Sequence, residues 1–229
     1  MNDTKVYIVC EGPTEQTFIR YVLAPEMYLK GIFLYPILIG KPGHKGGGIR
    51  FDRAKGDIEK FLKQRPNTYV STMFDYFQLE SNWPGNEKTP GKLTAIRKAE
   101  KIEAATLTEI EKLIPEHNIR KRFIPYIEMH EFEALLFSDA SKLAEKMGVR
   151  LSHIEQILTE CGEPEEIDDG ADTAPSKRLF KLCKGYRKVV MGKTISEAIG
   201  IQTIRQKCPH FDNWITKIEQ LVVAENTSD

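Results

Sequence analysis

The sequence has no C-x-x-C pair. Its four cysteines, Cys10, Cys161, Cys183 and Cys208, stand far apart, which excludes a zinc ribbon and a thioredoxin-type redox motif. Cys208-Pro209-His210 sets a thiol near an imidazole, but no second pair accompanies it, so reduced and mostly buried thiols are expected. Long apolar runs are also missing. The most apolar window, Ile32 to Ile39, falls far short of the ~20 residues of a membrane span and is interrupted by Pro36. Neither sign of charge dominates. Lys+Arg and Asp+Glu each number 33, which rules out a uniformly basic coat for nucleic acid but leaves room for a local basic face. No signal-peptide pattern precedes the first strand-like run, so a cytoplasmic chain without a membrane partner is expected. What remains is 229 residues, 41% apolar and 29% charged, a balance that suits a globular core and not a disordered or fibrous chain.

Along the chain, β-branched runs alternate with helical spacing. Lys5 to Cys10 reads as a strand, broken by Glu11-Gly12-Pro13. Thr14 follows as a helix cap, with Phe18, Ile19, Val22 and Leu23 on one face. Ile32–Ile39 and Tyr69–Phe74 are further strands, and Ile49–Arg65 and Lys92–Ile114 are helices. Phe123–Ile127 is a fourth strand whose Pro125 marks an edge or a bulge. This alternation predicts an α/β fold with a mostly parallel sheet flanked by helices. After residue 138 strand signals fade into short helices, clearest at Leu151–Leu158, Lys177–Lys184 and Asn213–Val223. The division expected is an α/β core over 1–138 and a helical C-terminal region over 139–229 packed on it. Charge is segregated in that second part: every charged residue from Glu160 to Asp172 is acidic, and every one from Lys177 to Lys193 is basic.

Three acidic sites follow strand ends, where α/β sheets open their ligand crevice. Glu11 follows the first strand, and Glu15 stands four residues later in the first helical turn. Two carboxylates brought that close repel each other unless a cation lies between them, although Glu15 also suits the helix dipole. Asp75 ends the third strand and would face the same crevice, unless it only forms a turn. His130-Glu131-Phe132-Glu133 follows the fourth strand. If helical, His130 and Glu133 share a face; if extended, Glu131 and Glu133 do. Either arrangement offers a hard-cation ligand or a general base. The glycine-rich stretch from Gly40 to Arg50, with Lys45 and Arg50, would wrap a phosphate, but it lacks P-loop spacing. Ser176, Lys177, Arg178 and Lys181, with Phe180 and Tyr186 interleaved, suit a phosphate backbone or a plain solvated face.

Taken in order, Glu11-Gly12-x-Thr14-Glu15, Asp75, His130-Glu131-Phe132-Glu133, Pro175-Ser176-Lys177-Arg178, Ile199-Gly200 and Cys208-Pro209-His210-Phe211 with Trp214 resemble the DUF4276 family over nearly the whole chain. The resemblance implies a divergent Toprim-like fold, similar to the nuclease half of overcoming-lysogenization-defect proteins. It also implies an ABC- or AAA-type ATPase partner and a role in anti-phage defence. By that resemblance Glu11 and Asp75 are metal ligands and Glu15 is the second acid of the loop. Asp75-Tyr76-Phe77 departs from the usual Asp-x-Asp. Glu131 or Glu133 is a hypothetical source of the missing carboxylate.

The function expected from these residues is a Mg²⁺- or Mn²⁺-dependent nuclease acting on DNA or RNA, tRNA included. Glu11, Glu15, Asp75 and Glu131 would hold metal, and His130 or Glu133 would act as base. Lys177 with Arg178 would neutralise phosphate charge. Self-association is compatible with it. Two alternatives stand beside it. One is an inactive Toprim-like module docked on an ATPase, with the acidic 160–172 stretch as its contact surface. The other is a phosphoryl-transfer enzyme acting on a nucleotide.

Overall fold

The computed structural model describes residues 4–40, 49–64, 68–87, 93–168 and 170–226, with the side chains beyond 222 excepted. The β-branched run at the start forms β1 (Thr4–Cys10). Parallel neighbours flank it on both sides: β2 (Ile32–Leu38) and β3 (Tyr69–Asp75). The sheet order is β2-β1-β3 and then β4 (Phe123–Ile124), with β5 (Ile127–Glu128) also pairing β3, so all the pairings are parallel as the alternation predicts.

The expected fourth strand divides into β4 (Phe123–Ile124) and β5 (Ile127–Glu128). Pro125 has no N–H to give to the ladder. Thr72 bridges the gap with its side chain: its hydroxyl accepts from Tyr126 N at 2.8 Å and donates to Tyr126 O at 2.9 Å. The register on β3 is therefore the same before and after the interruption.

Period-two alternation sorts the strand side chains onto two faces. On one face Val9, Val70 and Phe74 pack against α3 (Phe51–Gln64) and α4 (Ala95–Leu113). Thr94 caps α4 by accepting from Arg97 N. The segment after Asp75 is anchored on this face by Trp83, which is fully buried and donates to Thr106 Oγ1 at 2.8 Å.

The opposite face carries Val6, Ile8, Cys10 and Met73. Against it pack α1 (Pro13–Phe18), a π turn (Ile19–Leu23), α2 (Ala24–Tyr28) and most of the C-terminal helices. A four-residue α5 (Ile119–Arg122) leads into β4. After a 3-10 segment (Phe132–Ser138) come α6 (Ala140–Met147), α7 (Leu151–Cys161), α8 (Pro175–Leu182), α9 (Lys188–Ile199), α10 (Ile201–Lys207) and α11 (Pro209–Asn226). Residues on both sides of position 138 share one apolar cluster. Trp214 on α11 stacks on Tyr126 at 4.3 Å and donates to Ser71 Oγ at 2.8 Å, which fixes the last helix to the sheet.

All four cysteines are free; Cys10 and Cys208 are buried, and Cys161 and Cys183 are partly so. Among the described residues no helix is long and apolar enough to cross a membrane.

Candidate active site

Strand order decides where a site forms. From β1 the chain crosses to β2 over the α1 face, then returns over the α3 face to β3 on the other side of β1. The C-terminal ends of β1 and β3 are thus the point at which the winding reverses, where α/β sheets leave a crevice. Glu11 and Asp75 stand at those two ends. Glu11 N donates to Met73 O, extending the ladder by one residue, and Asp75 N donates to Glu11 Oε2 at 3.1 Å. Glu15 is buried in the first turn of α1, and its Oε2 accepts from Gly12 N at 2.9 Å. Its carboxylate therefore closes the helix start as well as facing Glu11.

Asp75 Oδ1 accepts from Phe132 N at 2.9 Å, which draws the segment after β5 into the crevice. Glu131 is extended, and Phe132 sinks into the core against Phe18 with ring centroids 5.2 Å apart. The extended alternative for this segment is the one adopted at Glu131: Glu131 and Glu133 meet the same partner, Lys188, at 3.6 and 3.1 Å. His130 is buried and turns its ring edge to Tyr76 at 5.6 Å. Tyr186 Oη donates to Glu133 at 3.4 Å.

Burial and mutual repulsion push this group of acids toward protonation. Burial first, then the Glu15 charge, raise Glu11 to about 8, against the hydrogen bond from Asp75 N–H and the attraction of Lys188. Burial, with Glu11, Glu15 and Glu133 after it, holds Asp75 well above the ordinary range. Glu15 is raised chiefly by burial. Glu133 is raised to about 7 by burial, with Lys188 opposing. For Lys188, burial favours the neutral amine, but Glu133, Glu131 and Asp75 together outweigh it and raise its pKa.

The ammonium that meets these carboxylates belongs to Lys188, which the sequence left among seven similar bases; Lys177 is exposed on α8 instead. One signal for Lys188 was its position. It is the first residue of α9, where the helix dipole disfavours positive charge, so it needs anions nearby. Ser176, expected on a phosphate-binding surface, is buried: its N–H and hydroxyl bind Glu131 at 2.8 and 3.0 Å. Arg178 is half-buried, donates to Thr173 O and lies 3.7 Å from Glu160. Lys181 donates to Asp172 O at 2.7 Å. Arg50 is exposed, 3.9 Å from Glu80, and Lys45 lies outside the described residues. Within the acidic stretch, Glu165 is buried and accepts from His210 N and Phe211 N at the start of α11.

The donors are all oxygens, which suits a hard divalent ion, and such an ion would favour the ionised form of acids that burial and their neighbours now hold toward protonation. Among the described residues no three acidic, histidine or cysteine side chains stand together as a ready metal cage. The fit is one of chemistry and charge, without a preformed cage.

No curated protein and no solved structure matches the chain. The family model described as a domain of unknown function, DUF4276, matches residues 10–219, and so takes in Glu11, Asp75, the 130–133 segment and Lys188. With nine-tenths of its length inside that match, the chain belongs to the DUF4276 family.

Proposed function

We propose that this chain is a divalent-metal-dependent nuclease with a Toprim-like core, working with an ATPase partner in anti-phage defence inside the cell. One observation carries the reading. Carboxylates from β1, α1, β3 and the segment after β5 converge at the winding reversal, and four of them are held above their ordinary pKa. A protein rarely buries such repulsion without a use for it.

Glu11, Glu15 and Asp75 would hold Mg²⁺ or Mn²⁺. When bound, the ion supplies Lewis acidity toward a phosphate oxygen. Glu133, at about 7, has the affinity of a general base working near neutral pH, and Tyr186 orients it. Lys188 takes the role expected of Lys177, neutralising charge on the phosphate. Ser176 fixes Glu131, and Asp75 fixes the Phe132 backbone, so the machinery rests on rigid supports.

The test is Mn²⁺-dependent cleavage of DNA and RNA by the purified chain with its ATPase partner, alongside a melting scan with and without the ion. Cleavage that requires the ion and disappears in Glu11→Gln supports the reading; no cleavage and no thermal shift at millimolar Mn²⁺ would defeat it. The second reading is an inactive docking module. The lack of a ready cage among the described residues favours it. Retained ATPase binding with neither metal response would point there.

A further inference from the structure

Two phenylalanines near the acidic crevice keep their rings in solvent. Phe180 on α8 is 39% exposed, and its ring meets Tyr186 edge-on at 5.3 Å. Tyr186 is buried, and its hydroxyl reaches Glu133. A single side chain therefore separates the Phe180 ring from the carboxylate cluster. Phe77 is 38% exposed, two residues beyond Asp75, and its N–H donates to the carbonyl of His130 at 3.0 Å. Both rings are thus tied by short links to backbone or side chains of the crevice. Burying either against its own fold would have been favourable; the structure leaves both partly open.

Exposed basic residues accompany one of them along the chain. Lys177 precedes Phe180 by three residues on α8, which places the two side by side, and Lys184 and Arg187 follow on the way to Lys188. Lys177, Lys184 and Arg187 are all exposed. Cationic groups beside an open aromatic face form the pairing that single strands recognise: the charge follows the backbone while the ring takes a base. A duplex does not offer that base, because its π-faces are already stacked on their neighbours.

We infer that the substrate is a single-stranded nucleic acid, whose unpaired bases stack on Phe180 and Phe77 while its backbone runs over Lys177 and Lys184 toward the acidic crevice. The inference rests on the proposed phosphodiester chemistry only for the place where the strand is cut. Unpaired bases of DNA and of RNA present the same π-face, and the sugar is left to the experiment.

The full chain is titrated against 5′-fluorescein oligo(dT), oligo(U) and a mixed-sequence duplex, each of about 12 nucleotides or base pairs. Anisotropy is read in EDTA so that nothing is cut. Both single strands, or one of them, should bind at least about tenfold tighter than the duplex, and the better of the two identifies the sugar. Phe180→Ala should weaken that binding by about 5- to 150-fold, the effect of losing one base–aromatic stack. Phe180→Trp should restore it. Lys177→Glu with Lys184→Glu should weaken it and flatten its salt dependence. A duplex bound as tightly as the single strands, no binding at all, or a Phe180→Ala chain that melts like the parent and binds unchanged would each overturn the inference. Single-strand binding without Mn²⁺-dependent cleavage would sink the nuclease reading alone; cleavage confined to duplexes would sink this one alone.

Discussion

The backbone N–H of Asp75 donates to the side chain of Glu11 at 3.1 Å, so the two strand-end acids are joined through one peptide group. Because Asp75 in turn accepts from Phe132 N, the three segments of the crevice form a chain of bonds: β1 holds β3, and β3 holds the segment after β5. Moving any one of them moves the others.

Glu11→Gln separates charge from this structural role. The amide oxygen of glutamine still accepts from Asp75 N–H, while the charge that repels Glu15 and Asp75 is gone. The melting temperature at pH 8 should hold or rise, and metal-dependent cleavage should fall by at least about 100-fold, as expected when a group that acts on the reacting centre is lost. Parallel melting and cleavage assays check this, and undiminished cleavage would remove Glu11 from the site.

Stability should fall as pH rises through the range in which these acids titrate. The folded chain keeps protons that the unfolded chain has already released, because Glu133 and Glu11 move from 4.5 to about 7 and about 8. The stabilisation they bring is complete below pH 4.5 and is lost step by step up to about 8, at up to roughly 1.4 kcal/mol per pH unit and group. Mn²⁺ stabilises the ionised form, so it should raise the melting temperature most at pH 7–8, by an amount equivalent to ~2.7 kcal/mol at a hundred times Kd. Calorimetry from pH 5 to 8, with and without Mn²⁺, measures both slopes. A flat profile in the absence of the ion would contradict the assigned repulsion.

Glu11 and Asp75 were legible in the sequence because each directly follows an apolar strand, and strand ends in parallel sheets have a known fate. The sheet itself was legible for the same reason, its β-branched runs alternating with 3.6-residue spacing. Lys188 was not. Its place at the start of α9 is a weak local mark beside Lys177 and Lys184, and it takes the packing of α9 against the 132–138 segment and α1 to bring its ammonium to Glu131 and Glu133. Glu165 was lost in an acidic run that reads as a contact surface, although it caps α11 from a buried position. Trp83 was hidden by the polar residues around it. Each of these depends on long-range packing, which leaves no period in the sequence.

Removing the Lys188 charge should reveal the balance it maintains. In Lys188→Gln, Glu131 and Glu133 keep their burial but lose their cation, at a cost of about 1–3 kcal/mol near pH 7.5; this is less than a fully buried pair because the lysine side chain is partly exposed. At pH 5 Glu133 is already protonated, so the loss should shrink. Adding Glu133→Gln should recover part of the deficit at pH 7.5, with a coupling of about 0.5–3 kcal/mol in a double-mutant cycle. Equal losses at the two pH values would show that the ammonium is not balanced by these acids.

A pair of glycine replacements tests how the C-terminal helices position the crevice. Gly192 lies where α9 presses on the segment after β5: a Cβ there would sit 2.9 Å from Phe132 Cε1 and 3.6 Å from Thr14 Cγ2. The Phe132 ring is fully buried against Phe18 and has little room to yield. Gly192→Ala should therefore cost about 1–3 kcal/mol as overpacking. It should also lower cleavage, because the displaced residue is the one whose N–H Asp75 holds and whose neighbours are Glu131 and Glu133. Gly56, within α3, has open space where its Cβ would go. Gly56→Ala should stabilise the chain by about 0.5–1 kcal/mol through helix propensity and leave cleavage unchanged. Melting curves of the two variants should move in opposite directions, and cleavage should fall in Gly192→Ala alone. If Gly192→Ala melts and cuts like the parent, α9 does not hold the crevice in place.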